Sequence, residues 1–174
     1  MKNDYLPPII VLSLICLAIS GALALTNSFT EPVIEAAARH RTETAFAEML
    51  PDADSFEILE ITGLPASVRE VYKSANNTGY IFIVLTNGYG GEIKMICGVS
   101  PDGRIIRSSV LEHSETKGLG SKIADAQFAD QFNGMERSRL TEIDAITGAT
   151  ISTNAYIKAI NDVITAHLVV MSNS

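Results

Sequence analysis

The sequence has few cysteines, with only Cys16 and Cys97 among its 174 residues. Cys16 falls in an apolar segment near the N-terminus, so the remainder of the chain cannot form an internal disulfide. A single cysteine also cannot supply a cysteine-based metal motif, which argues against an iron–sulfur cluster or a structural zinc ion. We therefore expect no metal site, and any redox group carried by this chain would have to be organic.

Positive charge is scarce as well. The chain has 13 Lys and Arg residues against 20 Asp and Glu residues, which gives a net charge of −7 and a pI of about 4.9. A negative protein is repelled by phosphate backbones and by anionic headgroups. The composition therefore argues against nucleic acid as a partner and against a peripheral site on anionic lipid.

Charged residues are absent from Tyr5 to Thr30, and Ile9–Leu25 is almost continuously apolar. As a helix, this run would be about 26 Å long at about 1.5 Å per residue, near the lower limit for crossing a bilayer. One interpretation is a cleaved secretory signal, because Ala22-Leu23-Ala24 is similar to a cleavage site. The other is a transmembrane anchor, which we expect because the segment is still present in a sequence that starts at Met1.

The apolar segment divides the chain. We expect residues 1–29 to form an N-terminal tail and the anchor, with a span of about residues 9–25, and residues 30–174 to form one domain. Lys2 precedes the span, whereas Arg39 and Arg41 follow it. This distribution of positive charge does not orient the helix in the membrane.

The remainder of the chain predicts an α+β fold. Asn27-Ser28-Phe29-Thr30 should interrupt the first helix, and Thr30 should cap a second helix that ends near Leu50. Alternating apolar residues predict strands over 56–61, 68–73, 80–86, 93–99 and 104–111, followed by a short helix over 121–132, a strand over 140–146 and a last helix over 152–171. The predicted fold class is a single N-terminal transmembrane helix followed by one mostly antiparallel sheet domain with flanking helices.

One segment of small residues joins the last predicted strand to the last helix: Asp144-Ala145-Ile146-Thr147-Gly148-Ala149-Thr150. Gly148 and Ala149 have little bulk and would allow another molecule to approach the backbone. The first amides of the helix would face a group attached to Thr150, and helix N-termini favour phosphate. On physical grounds alone, an ordinary helix cap formed by Ser152 or Thr153 is the better explanation of the same residues, since hydroxyl-rich helix starts are common.

The same segment resembles the flavinylation signature of the FMN-binding domain family. Two further segments are similar to motifs of this family and occur in the same order: Gly88-Tyr89-Gly90-Gly91-Glu92-Ile93 and His113-Ser114-Glu115-Thr116-Lys117-Gly118-Leu119-Gly120. Lys117 stands where the family usually has proline. Together with the single apolar segment, this layout most resembles the G subunit of Rnf complexes.

The resemblance implies FMN as cofactor, bound covalently by a flavin transferase through its phosphate to Thr150. The residues that it predicts to contact FMN besides Thr150 are Thr147, Gly148, Ala149, Ile151, Glu115, Thr116, Leu119 and Gly120. It also implies that the FMN domain lies on the extracytoplasmic side of a cell membrane, with the N-terminus in the cytoplasm.

The function implied is that of an electron-carrying subunit of an Rnf-type ferredoxin:NAD oxidoreductase coupled to sodium or proton translocation. Such a subunit is not catalytic alone. Its implied partners are the other membrane and peripheral subunits, including a second subunit with covalent FMN. The alternatives are the corresponding subunit of a sodium-pumping NADH:quinone reductase and a membrane-anchored sensor or scaffold without redox chemistry.

Overall fold

The structure, a computed structural model, describes residues 6–173, apart from the side chains of residues 6–7, 32–41, 43, 137, 138 and 141. The chain divides into two compact units, one ending at Arg41 and the other beginning at Thr42. The helices are α1 (Leu6–Met49), α2 (Ala126–Ala129) and α3 (Thr150–Asn173), with 3₁₀ turns at Gly120–Ala124, Asp130–Phe132 and Arg137–Glu142. The first residues of the predicted tail, 1–5, lie outside the described residues.

The described part of the first unit, residues 6–41, is helical. Its segment Pro8–Glu31 has 24 residues, a mean hydropathy of 2.6 and no residue buried in the structure. At about 1.5 Å per residue, such a helix is about 36 Å long, which is enough to cross a bilayer by length and composition.

The predicted interruption of the first helix at Asn27–Thr30 is wrong, because α1 is continuous there. The hydroxyl groups of Thr26 and Thr30 donate to the carbonyl oxygens of Ala22 and Thr26 at 2.9 and 3.0 Å. These side chains bond back to the preceding helical turn, an alternative to capping that leaves the backbone helical. Thr30 therefore does not begin a new helix.

A five-stranded sheet forms the centre of the second unit, and the predicted antiparallel α+β fold is confirmed. The strands lie in the order β1 to β5, and each pairs antiparallel with its neighbour. They are β1 (Phe56–Ile58), β2 (Val68–Ser74), β3 (Tyr80–Asn87), β4 (Glu92–Val99) and β5 (Ile105–His113). Strand β3 is buried on both faces, as its apolar run predicts for a central strand.

The two faces of the sheet carry separate clusters of buried side chains, because successive residues of a strand point to opposite faces. On one face, Phe82, Met95 and Cys97 pack in one cluster with Tyr156 and Ile160 of α3. On the other face, Ile81, Ile83 and Ile96 pack with the end of α1 at Met49 and with Leu50. The sheet is therefore covered by α3 on one face and by the last turns of α1 on the other. Burial raises the pKa of the Cys97 thiol.

Between β5 and α3 the chain departs from the predicted elements. The helix predicted over residues 121–132 is a 3₁₀ turn, the four-residue α2 and a second 3₁₀ turn. The strand predicted over residues 140–146 is wrong, because Arg137–Glu142 is a 3₁₀ turn. Phe128 and Phe132 are nevertheless buried and contact the ring of Tyr156, so tertiary packing and not regular local structure holds this segment.

Candidate functional site

Three sequence segments that are far apart along the chain line one cleft. They are the hairpin between β3 and β4, the loop after β5 and the start of α3. The cleft has a volume of about 430 Å³ and is lined by Tyr89, Glu115, Thr116, Leu119, Gly120, Gly148, Ala149, Thr150, Ile151 and Ser152. This volume lies within the range of about 300–1,000 Å³ that is usual for small-molecule sites.

The segment before α3 forms a tight turn. The amide of Ala149 donates to the carbonyl oxygen of Ile146 at 3.0 Å, and Gly148 has a φ of +80°. This backbone conformation favours glycine, because a Cβ would be strained there. The Thr153 hydroxyl accepts a hydrogen bond from the amide of Ile146 at 3.2 Å and so ties the turn to the first turn of the helix.

Thr150 is the first residue of α3 and its side chain is exposed in the cleft. The first intrahelical hydrogen bond runs from the amide of Thr153 to the carbonyl oxygen of Ala149 at 2.9 Å. The amides of Thr150, Ile151 and Ser152 therefore have no partner within the helix, as in any α-helix start. These amides and the partial positive charge of a 24-residue helix make the position suitable for a phosphate.

The loop after β5 folds back on itself. The carbonyl oxygen of Thr116 accepts hydrogen bonds from the amides of Leu119 and Ser121 at 3.2 and 3.1 Å. His113 Nδ1 accepts from the amide of Glu115 at 3.2 Å, so this histidine anchors the loop. Lys117 is exposed and makes no ion pair with the residues that the structure describes.

Apolar side chains are exposed around the cleft. Leu119 is 47% exposed, Ile151 is 55% exposed and Tyr89 is 73% exposed. Large exposed side chains that cluster at one concave surface indicate a binding site for an apolar or aromatic group. The residues present thus fit FMN, with apolar groups for a flat ring and helix amides for a phosphate.

Glu115 is 6% exposed, and its carboxylate bonds to the other two segments. Its Oε1 accepts a hydrogen bond from the amide of Gly90 at 3.0 Å, and its Oε2 accepts one from the hydroxyl of Ser152 at 2.5 Å. Ser152 therefore does not cap the helix through its side chain. From the sequence, Ser152 was expected only as a possible cap, since no local pattern shows a contact between residues 37 positions apart.

The structure brings eight of the nine predicted contact residues into the lining of the cleft. Thr147 lies on the same turn and is exposed, but it does not line the cleft. Tyr89 and Ser152 line it without having been predicted as contact residues. The glycines that flank Tyr89 in the hairpin are the sequence signal for this segment.

Comparison with known proteins agrees with the geometry. Residues 88–165, which contain all three segments, match the family model of the FMN-binding domain. The fold and the cleft thus define an FMN-binding domain.

Two relatives extend the similarity beyond residues 88–165 to most of the chain. The G subunit of the Na⁺-translocating ferredoxin:NAD⁺ oxidoreductase complex of Acetobacterium woodii is 30% identical over 87% of this chain and 86% of its own length. The G subunit of the ion-translocating oxidoreductase complex of Methanosarcina acetivorans is 32% identical over 90% of this chain and 91% of its own length. The chain belongs to the family of G subunits of ion-translocating oxidoreductase complexes.

A solved structure has a similar fold. The crystal structure of Shewanella oneidensis NqrC matches with a TM-score of 0.50 and 16% sequence identity, over 73% of each chain. At this level of identity the likeness describes the fold alone.

Proposed function

We propose that this protein is a membrane-anchored electron-transfer subunit that carries FMN in an ion-translocating ferredoxin:NAD oxidoreductase complex. The observation that carries the proposal is the cleft, in which the three family segments meet and which is lined by the first residues of α3 together with exposed apolar side chains. The similarity to the G subunits of such complexes along most of the chain supports the same function. The relative from Acetobacterium woodii is named for sodium and that from Clostridium ljungdahlii for protons, so the proposal includes either ion.

FMN is held covalently, through an ester between its phosphate and the hydroxyl of Thr150. Two features support this linkage: Thr150 is exposed in the cleft, and it begins α3, whose free amides suit a phosphate. A flavin transferase attaches the cofactor. The covalent bond prevents FMN from being lost by dilution from a domain outside the cytoplasm.

The other residues of the site bind and orient the cofactor. FMN supplies the chemistry, since its ring can take up one or two electrons. Leu119 and Ile151 cover the ring, and Thr116 provides a hydroxyl for a hydrogen bond. Gly120, Gly148 and Ala149 allow close approach, Glu115 fixes the loop, and Thr147 completes the turn. The chain carries electrons and is not catalytic alone.

Residues 1–29 form the tail and anchor, and residues 30–174 form the FMN domain on the extracytoplasmic side. The apolar helix Pro8–Glu31 is long enough for this role. The partners are the other subunits of the complex, including a second one with covalent FMN. Protease added outside right-side-out vesicles of the cell membrane should degrade the domain, and protection from it would reverse the orientation.

Replacing Thr150 tests the linkage. Wild-type protein, produced with a flavin transferase, should fluoresce in a denaturing gel, and the peptide containing Thr150 should carry the mass of FMN less water. Thr150→Ala should lose both signals and stay folded, because Thr150 is an exposed residue. Thr62→Ala is the control, since it removes an exposed threonine hydroxyl from a residue that does not line the cleft and should keep the flavin.

Flavin that remains on the Thr150→Ala variant would contradict the assignment. A wild-type protein without flavin in the presence of the transferase would favour the scaffold without redox chemistry. In the assembled complex, Thr150→Ala should abolish ferredoxin-to-NAD electron transfer and the coupled ion movement together. Near-normal transfer would show that this flavin is not on the main electron path.

A further inference from the structure

The buried carboxylate of Glu115 joins three parts of the fold that have no sequence proximity. It accepts one hydrogen bond from the amide of Gly90, which is 25 positions away in the sequence. It accepts another from the hydroxyl of Ser152, which is 37 positions away. Glu115 is 6% exposed, and a buried carboxylate is costly unless its oxygens are hydrogen-bonded. Both oxygens of Glu115 meet this requirement, one through the hairpin and the other through α3.

The backbone around Glu115 is shaped to receive its side chain. A Cβ atom at Gly88 would overlap Glu115 Oε1, and one at Gly120 would overlap Glu115 Oε2. A Cβ at Gly90 would overlap the carbonyl oxygen of Ser114. The hairpin and the loop can approach this closely only because these positions lack side chains. The glycines of the two segments thus leave room for the carboxylate of Glu115 as well as for the cleft.

Glu115 is also the source of negative charge in the cleft. The other lining residues are uncharged at neutral pH. Each of its two carboxylate oxygens has a hydrogen-bond donor beside it, the amide of Gly90 or the hydroxyl of Ser152. A fixed negative charge near a redox group opposes the uptake of electrons, and the effect is larger away from bulk water.

We propose that Glu115 is a positioning residue that holds the hairpin, the loop and the start of α3 together and makes the cleft electronegative. The first part concerns the protein alone. The second rests on the proposed function, since it requires that the cleft hold FMN. Each part has its own experiment, so that failure of one is distinguishable from failure of the other.

Hydrogen exchange of the full-length, flavin-free protein in detergent tests the positioning role. Glu115→Ala should speed exchange in peptides covering residues 88–91 and 116–121, and Ser152→Ala in peptides covering residues 116–121, because each removes a bond to the segment concerned. Glu112→Ala is the matched control, since Glu112 is exposed and only three positions away. Ser152→Ala removes just one hydroxyl, so it is informative even where Glu115→Ala does not fold. Unchanged exchange in Ser152→Ala would overturn the positioning role.

The midpoint potential of the flavin-loaded protein tests the charge. Glu115→Gln keeps an oxygen for the amide of Gly90 and offers an N–H to the oxygen of Ser152, but it removes the charge. Its potential, measured on the protein that carries flavin, should be more positive than that of wild type. Glu112→Gln makes the same change of charge at the surface and should leave the potential unchanged. Equal potentials in the two variants would overturn the electrostatic role.

Discussion

The turn before Thr150 offers a sharp test of how the backbone positions the flavin attachment site. Gly148 has a φ of +80°, where a Cβ is strained by about 1–2 kcal/mol. A Cβ built there would lie 3.4 Å from Leu119 Cδ2, which is ordinary contact. Gly148→Ala should therefore lose about 1–2 kcal/mol of stability from backbone strain, a change of about 5–30-fold in the folded-to-unfolded ratio.

Gly134→Ala is the matched control for this strain. Gly134 has a φ of +73°, and a Cβ there would meet no atom within 4 Å. Both variants should show similar losses in urea unfolding followed by circular dichroism in detergent. Only Gly148→Ala should lower the yield of covalent flavin, because its turn sets the position of Ala149 and Thr150.

Gly148→Asn should retain more stability than Gly148→Ala, since asparagine tolerates a positive φ better than alanine does. Equal flavin yields in Gly148→Ala and Gly134→Ala would refute the connection between the turn and attachment. An unchanged stability in Gly148→Ala would refute the estimate of strain.

Two further predictions concern α3. The hydroxyls of Tyr156 and Ser108 lie 2.8 Å apart in the core, so Tyr156→Phe should cost about 1–3 kcal/mol by leaving the Ser108 hydroxyl buried without its partner. The double variant Tyr156→Phe/Ser108→Ala should recover part of this loss in urea unfolding, and full additivity would contradict the explanation. His167 is buried, and its Nε2 has no hydrogen-bond partner among the described residues. Desolvation lowers the pKa of His167 below 6.5, whereas the negative charge of Asp102 opposes this shift. The unfolded chain therefore protonates His167 at a higher pH than the folded chain does. The free energy of unfolding should fall as the pH drops below about 6.5. His167→Phe should weaken this dependence in thermal unfolding between pH 8 and 5, and an unchanged dependence would assign it to other groups.

Local patterns predicted the main elements of this protein. The apolar run near the N-terminus and the strands of the sheet follow from composition and from alternation over a few residues. The interruption at Asn27–Thr30 was predicted wrongly because the same hydroxyl groups can cap a helix or bond back to its preceding turn. Which option they take depends on the helix around them and not on the residue types.

The three motifs were readable from the sequence because each has a distinctive composition, and their resemblance to one family indicated FMN and Thr150. Their meeting in one cleft was decided by the tertiary structure, which brings Glu115 to Gly90 and Ser152. Glu115 contacts Gly90 and Ser152 across 25 and 37 positions of the sequence. Contacts over such distances produce no periodic pattern of residues from which they could be predicted. Local propensities act over a few residues, whereas a buried carboxylate requires donors from whichever segments the fold places beside it.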